Sequence, residues 1–281
     1  MANIKELEDI SLQVRRDIIR MVNGAQSGHP GGSMDCANLM SALYFEVMDI
    51  DPKNYTREGT NEDMFFLSIG HISPVWYSVL SRRGYFPIKE LGTFRKLGTR
   101  LQGHPSFHSN LPGVRAASGS LGQGMSVAVG AALTKKMNND KKIVFSLHGD
   151  GEIEEGQIWE AAMFAASNKV DNLISIIDYN GVQIDGRTDD VCSSRDLKAK
   201  FLAFNWDVVE CDGNDMNSLL NGLKQAKNKC FKGKPVMVLM KTYMGFGVDF
   251  MQDNNAWHGK APNDEQTQQA LSQLKETLGD Y

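Results

Sequence analysis

The segment IVFSLHGDGEIEEGQIWEAAMFAASNKVDNLISIIDYNGVQIDG, residues 143–186, decides the fold. Two short apolar runs, 143–149 and 173–178, flank a stretch near 154–167 that is long enough for one helix. Apolar runs of that length joined through a helix argue for buried parallel strands linked by a crossover. Such a unit brings the carboxyl ends of both strands to the same edge of the sheet. Asp150 directly follows the first run and Asn180 the second, so the two side chains fall near each other at that edge. A hard cation such as Mg²⁺ takes oxygen ligands in octahedral geometry. An Asp carboxylate, an Asn amide oxygen, a backbone carbonyl and phosphate oxygens would supply such a set. Gly149 and Gly151 let the backbone turn tightly beside a phosphate, and the N-terminus of the helix after Ile153 favours an anion. Gly-Asp-Gly by itself reads as a plain turn. Asn180, one crossover later, makes the pair a candidate site.

The same alternation continues outward. A small-residue helix, GQGMSVAVGAALTKKM, precedes the segment. After it come a helix near 194–203, a strand at 206–210, a helix at 215–229 and a strand at 236–241. Nearer the N-terminus, Leu7, Ile10, Val14, Ile18 and Met21 step by three or four, the stripe of an amphipathic helix, which Gly24 and Gly28 are expected to end. A second helix is expected from about Met34 to Met48, stopped near Asp51-Pro52, and a strand at 64–68. Residues 85–118 are rich in Gly, Pro, Ser and His with weak periodicity, and long loops of this kind inside a compact protein tend to be functional. Near the C-terminus Ala270, Leu271, Leu274 and Leu278 suit one closing helix, which leaves no room for another domain. The expected architecture is a single α/β domain over 1–281, a three-layer α/β/α sandwich with a mostly parallel sheet.

Composition narrows the function classes. With 30 basic and 34 acidic residues the net charge is -4, which gives no broad attraction for nucleic acid. The N-terminal stretch MANIKELEDISLQVRRDIIR has no apolar core of signal-peptide length, and no run of apolar residues is long enough to span a bilayer. A cytoplasmic location is expected. Cys36, Cys192, Cys211 and Cys230 are widely separated and form no CxxC pair, so they read as reduced thiols.

Residues 149–186 resemble the thiamine diphosphate signature of the transketolase family. By that resemblance Asp150, Asn180 and the main-chain carbonyl of Val182 are the metal ligands, for Mg²⁺ or for Ca²⁺ or Mn²⁺, and Gly149 and Gly151 contact the diphosphate. Glu155 and Glu160 match acidic residues that the family places near the cofactor and the subunit contact. Other loops agree. Ser27-Gly28-His29-Pro30-Gly31-Gly32 resembles the family's SGHPG loop, Gly70-His71 follows the strand at 64–68, and Gly103-His104-Pro105 begins another family-like loop. Gly119-Ser120-Leu121-Gly122-Gln123-Gly124 is similar to the GPLGQG turn that supports the cofactor's thiazolium end, with Ser120 where many members have Pro. Trp257-His258-Gly259 resembles the last histidine of the set. The resemblance implies that His29 and His258 contact substrate oxygens, that His71 and His258 serve the diphosphate, and that His104 binds a substrate hydroxyl. His148 reads as packing beside the metal loop, and Asn214, where many relatives have His, as structural.

The implied activity is transfer of a two-carbon ketol unit from a ketose phosphate to an aldose phosphate through thiamine diphosphate, as in the non-oxidative pentose phosphate pathway. Imidazoles suit it, because they give or take protons at substrate oxygens near neutral pH. The family's pyrimidine-binding domain, with its activating glutamate and sugar-phosphate arginines, has no counterpart in these residues. A partner chain, a C-terminal transketolase subunit in an α2β2 assembly, is therefore implied. The metal motif is shared with 1-deoxyxylulose-phosphate synthases and 2-oxo-acid dehydrogenase α subunits. An inactive cofactor-binding regulatory module and an ordinary Mg²⁺-dependent phosphate-binding protein are further alternatives.

Overall fold

The computed structural model describes residues 3–281. Five strands, β1 (Met64–Leu67), β2 (Val144–Gly149), β3 (Leu173–Tyr179), β6 (Asp207–Asp212) and β7 (Val236–Lys241), form one sheet in the order β1-β2-β3-β7-β6, with every pairing parallel. A two-residue hairpin, β4 (Val182–Gln183) with β5 (Gly186–Arg187), stands apart from it. The helices are α1 (Ile4–Ala25), α2 (Pro30–Asp35), α3 (Ala37–Ala42), α4 (Ser73–Arg83), α5 (Gln123–Met137), α6 (Gly156–Ser167), α7 (Thr188–Cys192), α8 (Leu197–Ala203), α9 (Met216–Lys229) and α10 (Asp264–Gln273).

Each strand feeds two cores because its side chains alternate. Phe65, Leu67, Ile174, Ile176, Val236, Val238 and Met240 join the residues of α1, α3, α4, α9 and α10 on one face. Met64, Phe66, Leu173, Ile177, Met237 and Leu239 join those of α5, α6 and α8 on the other. This is the expected α/β/α sandwich. The strands run outward from β1 through β3, and the direction of succession then reverses, since β6 takes the edge and β7 returns beside β3. A reversal of this kind opens a crevice at the carboxyl ends of the strands.

Several boundaries differ from expectation, each for a local reason. The first helix passes through Gly24 and ends at Gln26, whose left-handed φ of 48 lets its N–H cap the helix. The second helix starts earlier, with Pro30 at its first position, and it is broken at Cys36. Its last turn, Leu43–Val47, is a π-helix. Helix α4 has no sequence stripe because it is buried almost all round, from Ser73 to Ser81. Leu278 lies beyond α10 and is 52% exposed.

Candidate functional site

The register of β2 on β3 pairs Gly149 with Asp178, which sets the residues that follow, Asp150 and Asn180, at one corner of the sheet edge. Gly181 holds a φ of +75, a conformation that favours glycine, and the turn delivers its N–H to Asp150 Oδ2 at 2.5 Å. The Gly151 N–H reaches Oδ1 at 2.8 Å. The Asn180 amide nitrogen donates to Asp35 Oδ2 (3.0 Å) and Asp178 Oδ2 (3.1 Å), and its carbonyl oxygen accepts from Val182 N–H (2.8 Å). Thr242, after β7, donates to the other oxygen of Asp178 at 2.5 Å.

This corner fits a cation. The Asn180 amide nitrogen is held by two buried carboxylates, which fixes which end of the amide is the oxygen and leaves that oxygen toward the Val182 backbone. Asp150 is only 4% exposed, and burial, with the charge of Asp178, pushes its carboxyl up to about 7. A cation placed there would keep it ionised. Burial and the charge of Asp178 push Asp35 further, well above the usual carboxylate range. Among the described residues no group of three or more His, Cys, Asp or Glu is disposed to hold a metal. The corner's donors are instead one carboxylate, one amide oxygen and the backbone, a set suited to a hard ion completed by phosphate oxygens.

Glu152 braces the corner, and nothing in the local sequence marks it. It is 2% exposed. Its carboxylate accepts from Gly122 N–H at 2.7 Å, from Gly149 N–H at 3.2 Å and from the Ser68 hydroxyl. One side chain thus ties the ends of β1 and β2 to the turn before α5. His148 lies inside the sheet with Nε2 2.8 Å from Ser146 Oγ, in keeping with a packing role.

The four loop histidines converge. His29 is the residue before α2, His71 follows β1, His104 lies in the long loop and His258 follows the turn Asn255–Trp257. Ring centroids are 5.0 Å apart for His29 and His71, 5.7 Å for His29 and His258, 5.2 Å for His71 and His258, and 6.5 Å for His29 and His104. Burial first, then the neighbouring charges, pulls His29 down to about 4 and His71 to about 3. His104 and His258 are lowered too, chiefly by burial. At neutral pH all four are uncharged bases. His108 stands outside, against Phe107.

The shifts of His29 and His71 carry a sign for stability. Their folded values lie below the unfolded value near 6.5, so the unfolded chain binds more protons between about 3 and 6.5. This contribution is fully present above 6.5 and is lost as pH falls through that window. Raised carboxylates such as Asp35 act in the opposite sense, so the test is a difference. His71→Asn should lose less stability than the unaltered chain between pH 7 and pH 5 in urea titrations; equal losses would contradict the burial of a neutral imidazole.

A cleft of about 300 Å³ joins the two groups, lined by His71, Leu121, Gly149, Asp150, Gly151, Glu155, Asn180, Val182 and His258 among others. Gly119 and Ser120 are not among the residues that line it, Gly119 packing against His104, and Glu160 is exposed on α6 and does not line it either. Asp35, Asp178, Thr242 and Glu152 are the residues that the sequence left unmarked.

The chain is similar to known proteins. Residues 9–279 match the family described as transketolase, thiamine diphosphate binding domain. The chain is 38% identical over 274 residues to a 6-deoxy-6-sulfo-D-fructose transketolase subunit from Clostridium sp. (strain MSTE9), covering 95% of this chain and 98% of that one. It is 37% identical over 272 residues to an apulose-4-phosphate transketolase subunit from Actinobacillus succinogenes, covering 96% of each. The solved transketolase of Leishmania mexicana superposes with a TM-score of 0.89 at 29% identity, over 100% of this chain and 43% of that one.

Proposed function

The chain belongs to the transketolase family through its thiamine diphosphate binding domain, and from that premise we propose that it is the cofactor-holding subunit of a two-chain transketolase. One observation carries the reading: four neutral imidazoles from four separate loops meet beside the Asp150–Asn180 corner. In this reading Asp150, Asn180 and the Val182 carbonyl hold Mg²⁺, or Ca²⁺ or Mn²⁺ in its place, and the backbone at Gly149 and Gly151 approaches the diphosphate. His71 and His258 approach it from the opposite wall. Gly119, Ser120 and Leu121 support the thiazolium end, and Glu155 closes the rim. When bound, thiamine diphosphate supplies the electron sink for breaking a carbon–carbon bond beside a carbonyl.

The chain's own groups then move protons. His29 and His258 accept or return a proton at substrate oxygens, which their uncharged state at neutral pH permits. His104, the most open of the four, hydrogen-bonds a substrate hydroxyl. Two similar subunits are named for different sugars, so family membership fixes the two-carbon transfer and not the sugar that donates it. A ketose phosphate and an aldose phosphate, as in the non-oxidative pentose phosphate pathway, are the proposed substrates. The partner is a pyrimidine-binding chain in an α2β2 complex, with Glu160 on the subunit-contact side. Among the described residues no helix is long and apolar enough to cross a membrane, and a cytoplasmic setting is proposed.

The test is ketol transfer by the reconstituted complex. At saturating cofactor and substrates His29→Ala should lower kcat by about 10²- to 10⁴-fold, the usual contribution of a placed acid or base. Full activity in that variant would remove His29 from the chemistry, and no transfer by the unaltered complex would remove the function itself.

A further inference from the structure

Outside the residues assigned above, one charged side chain touches two of the histidine loops at once. Arg95 has a left-handed φ of 57, and its backbone N–H folds back onto Leu101 O at 2.9 Å. Its Nη1 donates to Ser27 Oγ at 2.9 Å, two residues ahead of His29. The guanidinium also lies against Gly103, the neighbour of His104. A Cβ built on Gly103 would stand 2.7 Å from Arg95 Cζ and Nε, so glycine is what permits the approach. Arg95 Nε is buried with no hydrogen-bond partner, and no carboxylate among the described residues forms an ion pair with this guanidinium.

We propose that Arg95 is a positioning residue for the histidine cluster: it clamps the Ser27–His29 loop to the Gly103–His104 loop and sets an uncompensated positive charge beside both imidazoles. Its meaning for catalysis rests on the proposed function, whereas the clamp itself does not. His29 is faced by His71, His104, His258 and Arg95, and Arg95 is the one of these that is charged at neutral pH. After burial, Arg95 is the cause that lowers His104, and it contributes to lowering His29. Tyr77 is the ionisable group that faces Arg95 in turn. A charge of the same sign nearby disfavours protonation of an imidazole. A flat guanidinium can lie on the Gly103 peptide while one nitrogen reaches Ser27; a lysine could keep the charge without the clamp.

The chain itself, without a partner or cofactor, suffices for the test. With ¹³C-labelled histidine, ring resonances can be titrated by NMR from pH 7.5 to pH 3 and assigned by single-histidine substitutions. Arg95→Gln should raise the midpoints of both His29 and His104, by up to about one pH unit for loss of a nearby like charge, and leave the His148 resonance in place. Arg95→Lys should restore the His104 midpoint while leaving the His29 resonance shifted or broadened, because the contact to Ser27 is not rebuilt. Unchanged midpoints in a folded Arg95→Gln chain would overturn the proposal, as would changes that spread equally to His148. Should Arg95→Gln fail to fold, Ser27→Ala carries the test: a His29 resonance that shifts while His148 does not supports the clamp, and an unmoved His29 resonance overturns it.

Discussion

Asp150→Ala and Asn180→Ala chains should lose Mg²⁺-dependent binding of thiamine diphosphate while keeping their fold. The two side chains come from adjacent strand ends and face one corner, so removing either leaves a hard cation short of an oxygen ligand. Loss of an outer-shell partner typically costs a metal site about 10- to 100-fold in affinity, and loss of a direct ligand should cost at least that much. The fold should survive because the corner opens onto the cleft, where water can satisfy the Gly151 and Gly181 N–H groups that Asp150 now accepts from. Calorimetry with the partner present, with and without Mg²⁺, reads the affinity, and circular dichroism the fold. Unchanged cofactor affinity in both variants would show that the metal lies elsewhere. Chelation of the metal in the unaltered chain should reproduce the loss, and Ca²⁺ or Mn²⁺ should reverse it in part.

The isolated chain should transfer no ketol unit, and a pyrimidine-binding partner should restore the activity. Two similar proteins that share nearly their whole length with this chain are named as transketolase subunits, whereas this chain spans 43% of a solved full-length transketolase. A cofactor gripped at both ends and present at 100 times its dissociation constant stabilises its site by about 2.7 kcal/mol. Each kcal/mol moves the melting point of a domain this large by roughly 2–4 °C. The two-chain complex should therefore show a clear thermal shift with thiamine diphosphate and Mg²⁺, and the single chain a much smaller one. Purified chain would be assayed with a ketose phosphate and an aldose phosphate before and after the partner is added. Robust transfer by the chain alone would defeat the two-chain reading.

Local pattern was enough for the frame and for half of the site. The apolar runs at 143–149, 173–178 and 236–241 became β2, β3 and β7 to within a residue or two, because a strand buried on both faces has few ways to be written. Asp150 and Asn180 were legible for a related reason. A strand–helix–strand unit has one hand, so residues just past its two strands must share an edge. The four histidines were legible through the resemblance of their glycine- and proline-flanked loops to the family's, and the packing of the loops then brought their rings within 6.5 Å of one another in a chain.

What the tertiary structure alone decided is what those residues rest on. Asn180 is oriented by Asp35, 145 positions away, and Asp178 is held by Thr242, 64 positions away. No periodicity carries information over such distances; only the packing of α2 and β7 against β3 creates the contact. Glu152 reads as one acid among several in EIEE, yet burial gives it three backbone and hydroxyl donors while Glu155 stays at the rim and Glu160 in the open. Arg95 sits in a stretch without helical or strand pattern, and its contacts to Ser27 and Gly103 arise only where the two loops pack together. The sequence by itself determined which residues stand at the ends of strands. Desolvation and long-range packing decided which of them are neutral, which are tied down and which are left to face a ligand, because those properties belong to the space between elements and not to any one of them.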